Sequence, residues 1–172
     1  IIDLFNSKNI NKINKKIKYD VVFCAALPAT KWLANKAPLK DKKNTQKLIK
    51  NIRKINTKKF LLISTIDVNF KHAYGQNRRI LEKFVKKKFS NSYILRLPGV
   101  FGKGLKKNII YDLLNKNEIN KIYSNDKFQW YDLAYLLKDI SYIFKNNQLG
   151  INELYSLPIK NQEIINLFKK IK

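Results

Sequence analysis

Three β-like runs constrain this chain more than any other feature of its sequence: Tyr19–Ala25, Phe60–Ser64 and Tyr93–Leu97. A strand with one wet face alternates apolar and polar residues. Near-continuous apolar runs of this length suit strands buried on both faces, as in a parallel sheet. Between the first two lies a helical pattern carried by Leu48, Ile49, Ile52 and Ile55. Between the second and third lies another, with Ile80, Leu81, Phe84 and Val85 on one face. Strand, helix, strand, helix, strand implies right-handed crossovers, and so an α/β fold with a doubly wound parallel sheet.

The pattern changes further along. Ile109, Ile110, Leu113 and Leu114 suggest a short amphipathic helix. Leu133, Leu136, Leu137, Ile140 and Phe144 suggest a longer one, and Ile164, Ile165, Phe168 and Ile171 a last one. Lys121–Tyr123 and Glu153–Tyr155 are expected to add short strands. With no low-complexity linker between the parts, the expected organisation is a sheet domain over residues 1–101 and a smaller substrate-binding part over 102–172, packed on it.

Composition decides what partners to expect. The 172 residues suffice for one apolar core, and an apolar fraction of 45% is that of a globular protein. The net charge is +24, but lysine is interleaved with asparagine and isoleucine along the whole chain. A nucleic-acid binder gathers such charge on one face, so dispersed lysine reads as solvated surface, with a basic nucleic-acid-binding protein as an alternative. The same excess attracts small anions, including nucleotide diphosphates, without specifying one. No apolar run approaches the ~18 residues of a membrane span. The start, Ile1-Ile2-Asp3-Leu4, lacks the basic and apolar regions of a signal peptide, so the cytoplasm is the expected compartment. Cys24 is the single cysteine, which excludes an internal disulfide or a cysteine metal cluster.

Candidate chemistry lies where the second run ends. Ligands of open parallel sheets bind at the carboxyl ends of strands. A hydroxyl there, on Thr65, reaches a substrate oxygen; equally, Ser64 and Thr65 begin a turn. Tyr74 and Arg78 stand at i and i+4, hence on one helix face. A cation beside a phenol favours the phenolate, so Arg78 is expected to lower the Tyr74 pKa from ~10, as an acid/base at neutral pH requires.

Taken in order, these segments resemble the extended short-chain dehydrogenases/reductases of the NAD-dependent epimerase/dehydratase type. Asp20-Val21-Val22-Phe23-Cys24-Ala25-Ala26-Leu27 resembles their "DVVxHxAA" strand, and Lys59–Val68 the strand that ends in the catalytic Ser/Thr. Asn44-Thr45 with Leu48 is similar to "GTxxLLxAA". His72–Glu82 is similar to the segment carrying Tyr-x-x-x-Lys, Ile94–Gly104 to "iLRpxxVyGpg", and Phe128–Leu133 to "rdfvyVdDla".

The resemblance implies a Rossmann sheet, NAD or NADP as cofactor, and a nucleotide-sugar substrate. It implies Thr65, Tyr74 and Arg78 as catalytic residues, with the hydroxyls of Thr65 and Tyr74 facing one cleft and Arg78 one turn along on the same side. It places Asp3, Leu4, Cys24, Ala25, Ala26, Leu27, Pro98 and Val100 beside the cofactor, and Arg96 and Gly99 beside the substrate. No membrane partner is expected, and a homodimer is compatible with the reading.

The sequence departs from the pattern in four ways. No Gly-x-x-Gly-x-x-Gly follows an early strand, so the resemblance starts after the phosphate-binding loop. Arg78 stands where the family has Lys, replacing a point ammonium by a planar fork. Only eight residues separate Thr65 from Tyr74, and Asp41 occupies a helix position often held by Asn. The expected function is therefore an NAD(P)-dependent epimerase/dehydratase or reductase acting on a nucleotide sugar. The alternative within the same fold is a truncated, catalytically inactive relative.

Overall fold

A computed structural model describes residues 3–170. In chain order it contains β1 (Lys18–Cys24), α1 (Lys31–Lys36), α2 (Pro38–Ile52), β2 (Asn56–Thr65), α3 (Ala73–Lys88) and β3 (Ser92–Leu97). There follow β4 (Gly99–Phe101), α4 (Ile109–Asn115), β5 (Lys127–Phe128), β6 (Trp130–Asp132), α5 (Leu136–Lys145), β7 (Gly150–Glu153), β8 (Ile159–Lys160) and α6 (Asn161–Lys170). These form two compact units. The first extends to Arg96 and takes back Gln148–Asn152; the second comprises Leu97–Asn147 and the chain from Glu153 onward.

The first unit is built on a four-stranded sheet in the order β1-β2-β3-β7. The three apolar runs supply β1, β2 and β3, although Ala25 lies just past the end of β1. β1 and β2 are parallel, in register from Lys18 opposite Asn56 to Cys24 opposite Leu62. The two connecting patterns are the helices α2 and α3, which pack against each other, although Ile55 lies beyond the end of α2. Proline at the first position of α2 has no N–H to leave unbonded and a φ already set for the helix.

Side-chain alternation explains why the runs are continuous. Phe60 and Leu62 join one core cluster with Ile94 and with Leu48, Ile52, Leu81 and Val85 of the two helices. Leu61, between them, points the other way and is 0% exposed as well. Both faces of β2 are therefore dry, and each large side chain buried there is worth about 1.5–3 kcal/mol. Phe60 stacks on Phe89 beyond the end of α3, with centroids 4.1 Å apart. β1 is one of the two outer strands of this sheet, with β7 the other, and Phe23 in β1 remains 60% exposed.

The second unit contains two small sheets. β4 and β6 run parallel, pairing Gly99 with Trp130, Val100 with Tyr131 and Phe101 with Asp132. β5 and β8 are antiparallel. The three expected helices are α4, α5 and α6, although Leu133 lies in a 3-10 turn ahead of α5, and Ile171 falls outside the described residues. Asn108 caps α4, its side-chain oxygen accepting from the N–H groups of Ile110 and Tyr111.

Two strand expectations are corrected. Lys121–Tyr123 is not extended: Glu118 takes a left-handed conformation, and the Lys121 N–H closes onto the Glu118 carbonyl at 2.9 Å, making a 3-10 turn over Ile119–Lys121. At Glu153–Tyr155 the strand comes earlier, and only Glu153 belongs to β7. No helix among the described residues is long and apolar enough to cross a membrane.

Candidate active site

The carboxyl end of β2 leads into α3 through a short, heavily cross-linked turn. Thr65 closes the strand and caps the 3-10 turn Ile66–Asn69, its Oγ1 accepting from the Asp67 N–H at 3.2 Å. The same hydroxyl donates to Asp67 Oδ2 at 3.3 Å. The other Asp67 oxygen meets Lys31 Nζ at 2.6 Å and His72 Nε2 at 3.2 Å. His72 also starts α3, since its Nδ1 accepts from the Gly75 N–H at 3.1 Å. A ring nitrogen that accepts carries no proton, so in the neutral imidazole Nε2 is the protonated nitrogen and donates to Asp67. Gly75 is required here by space alone. A Cβ on it would lie 1.9 Å from the Asp67 carbonyl oxygen, so α3 sits directly on the turn.

Tyr74 and Arg78 share a face of α3. The Arg78 Cζ lies 3.9 Å from the Tyr74 ring centroid, and both side chains are buried. The Tyr74 N–H is held by Asn35 Oδ1 at 2.9 Å. Arg78 donates from Nη2 to the Pro28 carbonyl at 2.6 Å and from Nη1 to Asp41 on α2. Asp41 also accepts from Asn77 at 2.7 Å, and the Arg78 and Asp41 side chains are 5% and 6% exposed.

This geometry corrects the expectation for Tyr74. Its pKa is raised, not lowered: burial dominates, Arg78 pulls the other way, and the carboxylates of Asp67 and Asp41 push it further up. An arginine already paired with a buried carboxylate offers the phenolate only part of its charge.

The remaining candidates fall into separate groups. Arg96 forks onto Glu82, with Nε 3.1 Å from Oε1 and Nη2 2.8 Å from Oε2, and Ser64 Oγ donates to the same carboxylate at 2.6 Å. Asp3, Leu4, Cys24, Ala25 and Ala26 line a cavity of about 590 Å³ along β1. Ala25, Ala26 and Leu27 also line a neighbouring cavity of about 530 Å³. Asp3 accepts from the Tyr19 hydroxyl at 3.1 Å. Cys24 is buried, which pushes its thiol up to about 11 and leaves it inert at neutral pH. Pro98, Gly99 and Val100 belong to the second unit, where Gly99 packs against the Trp130 ring and the Val100 carbonyl accepts from Asn108 at 2.7 Å.

Sequence reasoning did not single out Asp67, His72, Lys31 or Glu82. One local signal existed: His72 is the only histidine and directly precedes a helix, a position where a side-chain acceptor caps free N–H groups.

A sheet of this order, with helices between its strands and a polar cluster at the carboxyl end of β2, defines a Rossmann-like α/β fold. Solved structures share it. A dTDP-4-dehydrorhamnose reductase from Clostridium acetobutylicum superposes with a TM-score of 0.71 at 15% identity, over 88% of this chain and 61% of that one. A UDP-N-acetylglucosamine 4-epimerase from Methanobrevibacter ruminantium, solved with UDP-N-acetylmuramic acid, gives 0.71 at 15% over 88% and 60%. The Bordetella bronchiseptica enzyme WbmG, solved with NAD, gives 0.72 at 13% over 88% and 56%. At these identities the likeness is one of fold. The chain spans about three fifths of the length of these structures. No family model and no curated protein matches its sequence.

Proposed function

We propose that the chain is an extended short-chain dehydrogenase/reductase of the epimerase/dehydratase type, binding NAD or NADP and acting on a nucleotide sugar. One observation carries the reading. Thr65, Tyr74 and Arg78, chosen for their motif positions, fall in one continuous cluster at the carboxyl end of β2, through Asp67 and His72. The solved sugar-nucleotide enzymes of the same fold support it.

In this reading the cavities along β1 take the cofactor. Exposed Ala25 and Ala26 leave room for a planar ring, the walls are largely apolar, and the Asp3 carboxylate is an acceptor for a ribose hydroxyl. By the motif they stand in, Pro98 and Val100 are assigned to the cofactor, Arg96 and Gly99 to the substrate, and residues 102–172 to the substrate-binding part. A bound nicotinamide supplies the hydride donor or acceptor. Tyr74, with its raised pKa, is protonated at neutral pH and so acts first as a general acid, giving its proton to a carbonyl oxygen. Thr65 holds the same oxygen once its hydroxyl turns from Asp67, and Arg78 orients the Tyr74 ring by lying over it.

A second reading is favoured by the Arg78–Asp41 pair. A cation neutralised by a buried carboxylate fits a relative that keeps the fold and binds ligand without turnover. Ligand-observed NMR with NAD and NADP, followed by a turnover assay on nucleotide sugars, separates the two. The cofactor reading expects nicotinamide and adenine protons to respond, and an Ala26→Trp variant, which puts a large ring where both cavities meet Ala26, to weaken the response. No response from either dinucleotide would overturn it. Turnover lost in Tyr74→Phe supports catalysis, whereas binding without turnover in the parent chain establishes the second reading.

A further inference from the structure

The second unit contains a pocket of its own, distinct in chemistry from the rest of the molecule. It is a broadly open depression of about 540 Å³, a volume within the range of small-molecule sites. Five aromatic residues, Phe101, Trp130, Tyr131, Tyr135 and Tyr155, are among those that line it. Tyr135 and Tyr155 stand at its rim, 56% and 47% exposed, while Trp130 is buried behind them with Phe101 edge-on at 6.4 Å. Three carboxylates, Asp132, Asp139 and Glu153, complete it.

The charge of this pocket runs against that of the chain. Lysine and arginine number 36 against 12 acidic residues, yet among the described residues that line it none is cationic. Asp132 and Asp139 each have a hydrogen-bond donor but no cationic partner among the described residues. Asp132 Oδ1 accepts from the Ala134 N–H at 2.9 Å, and Asp139 Oδ2 accepts from the Tyr131 hydroxyl. Glu153 accepts from Tyr155 at 3.1 Å. The field is felt locally: the Tyr131 phenol is driven far above its usual range, by burial first and then by Asp139 and Asp132. With cations three times as abundant as anions, a pocket lined by Asp132 and Asp139, neither with a cationic partner among the described residues, is a site with a sign.

We propose that this pocket binds an organic cation, an ammonium or guanidinium group held between the aromatic faces of Tyr135, Tyr155 and Trp130 and the carboxylates of Asp132 and Asp139. Aromatic faces carry negative potential and attract a desolvated cation, and carboxylates add a Coulomb term of the same sign. Repulsion from the distant lysines is screened within about 8–10 Å at ordinary ionic strength, so the carboxylates in the pocket dominate there. The inference does not depend on the proposed dehydrogenase chemistry, because it uses only residues of the second unit.

The test uses the full chain with Trp32, the other tryptophan, replaced by Phe, so that fluorescence reports on Trp130 alone. Choline is titrated against its neutral isostere 3,3-dimethylbutan-1-ol. Saturable quenching by choline, with at least about fivefold weaker binding of the isostere, is the expected result. Asp132→Asn and Asp139→Asn keep the acceptor oxygens that bind Ala134 and Tyr131 while removing charge, and each is expected to weaken choline by about fivefold or more. Tyr135→Ala, at an exposed position, is expected to do the same. Equal response to choline and the isostere, no response to either, or unchanged affinity in both asparagine variants would overturn the proposal. A peptide with one central lysine distinguishes the source. Binding tighter than choline marks a side chain of another protein, and weaker binding marks a free small cation.

Discussion

The guanidinium of Arg78 lies over the ring of Tyr74, 3.9 Å from its centroid, while the same group is tied to the buried carboxylate of Asp41 on the neighbouring helix. Removing one member of such a pair strands the other charge in a dry site. Asp41→Asn is therefore expected to cost about 3–5 kcal/mol in urea unfolding, and adding Arg78→Met to recover most of it. A single-variant loss below about 1 kcal/mol would show that the guanidinium finds solvent, as exposed pairs do.

Gly75 gives a steric prediction. An added Cβ meets backbone atoms, the Asp67 oxygen at 1.9 Å and the Asp67 carbon at 2.8 Å, and no flexible side chain is there to yield. Gly75→Ala normally favours a helix, yet here a loss of about 2–3 kcal/mol is expected in thermal or urea unfolding. A stabilised variant would mean that the start of α3 stands away from the turn.

Alkaline stability should carry the signature of Tyr131. Its folded pKa is raised, so the neutral phenol is favoured in the folded state. The corresponding stability is fully present below the unfolded value of ~10 and is lost as pH rises above it, because the unfolded chain then releases a proton that the folded one retains. Unfolding curves of the parent and Tyr131→Phe should therefore differ most at neutral pH, by about 1 kcal/mol, and converge above pH ~10. Parallel pH profiles would contradict the assignment.

For the proposed cofactor, calorimetric titration of NAD and NADP is expected to give affinities weaker than low micromolar. The pyrophosphate of a dinucleotide is held by backbone N–H groups of a glycine-rich turn at a helix N-terminus, and the sequence has no Gly-x-x-Gly-x-x-Gly. In a preparation that turns over, Tyr74→Phe should remove most activity and leave cofactor affinity nearly unchanged, while Arg78→Ala should weaken both. Undiminished turnover in Tyr74→Phe rules the phenol out as the acid/base.

What the sequence disclosed depends on how local each feature is. The parallel strands were legible because burial on both faces leaves continuous apolar runs, as at Phe60 and Leu61. The contact of Tyr74 with Arg78 was legible because i and i+4 meet on any helix. The Asp41–Arg78 pair spans 37 positions and leaves no periodic trace, so the charge expected to act on Tyr74 was counted without the carboxylate that balances it. The direction of the Tyr74 shift follows from burial, a tertiary quantity that no spacing encodes. In the second unit, a left-handed Glu118 turned an apparent strand at Lys121–Tyr123 into a closed turn, and single residues in that conformation are weakly marked in sequence.

The outward side of β1 gives the lysine excess a use unconnected with any ligand. β1 is an edge strand of the described sheet, Phe23 in it is 60% exposed, and edge strands are where another strand can add its N–H and C=O groups. Lys15, Lys16 and Lys18 stand at its entrance, and a net charge of +24 keeps two copies apart before those groups can meet. That repulsion is long-ranged, and concentrated salt, which shortens it to a few ångströms, is the condition under which copies of this chain should begin to associate.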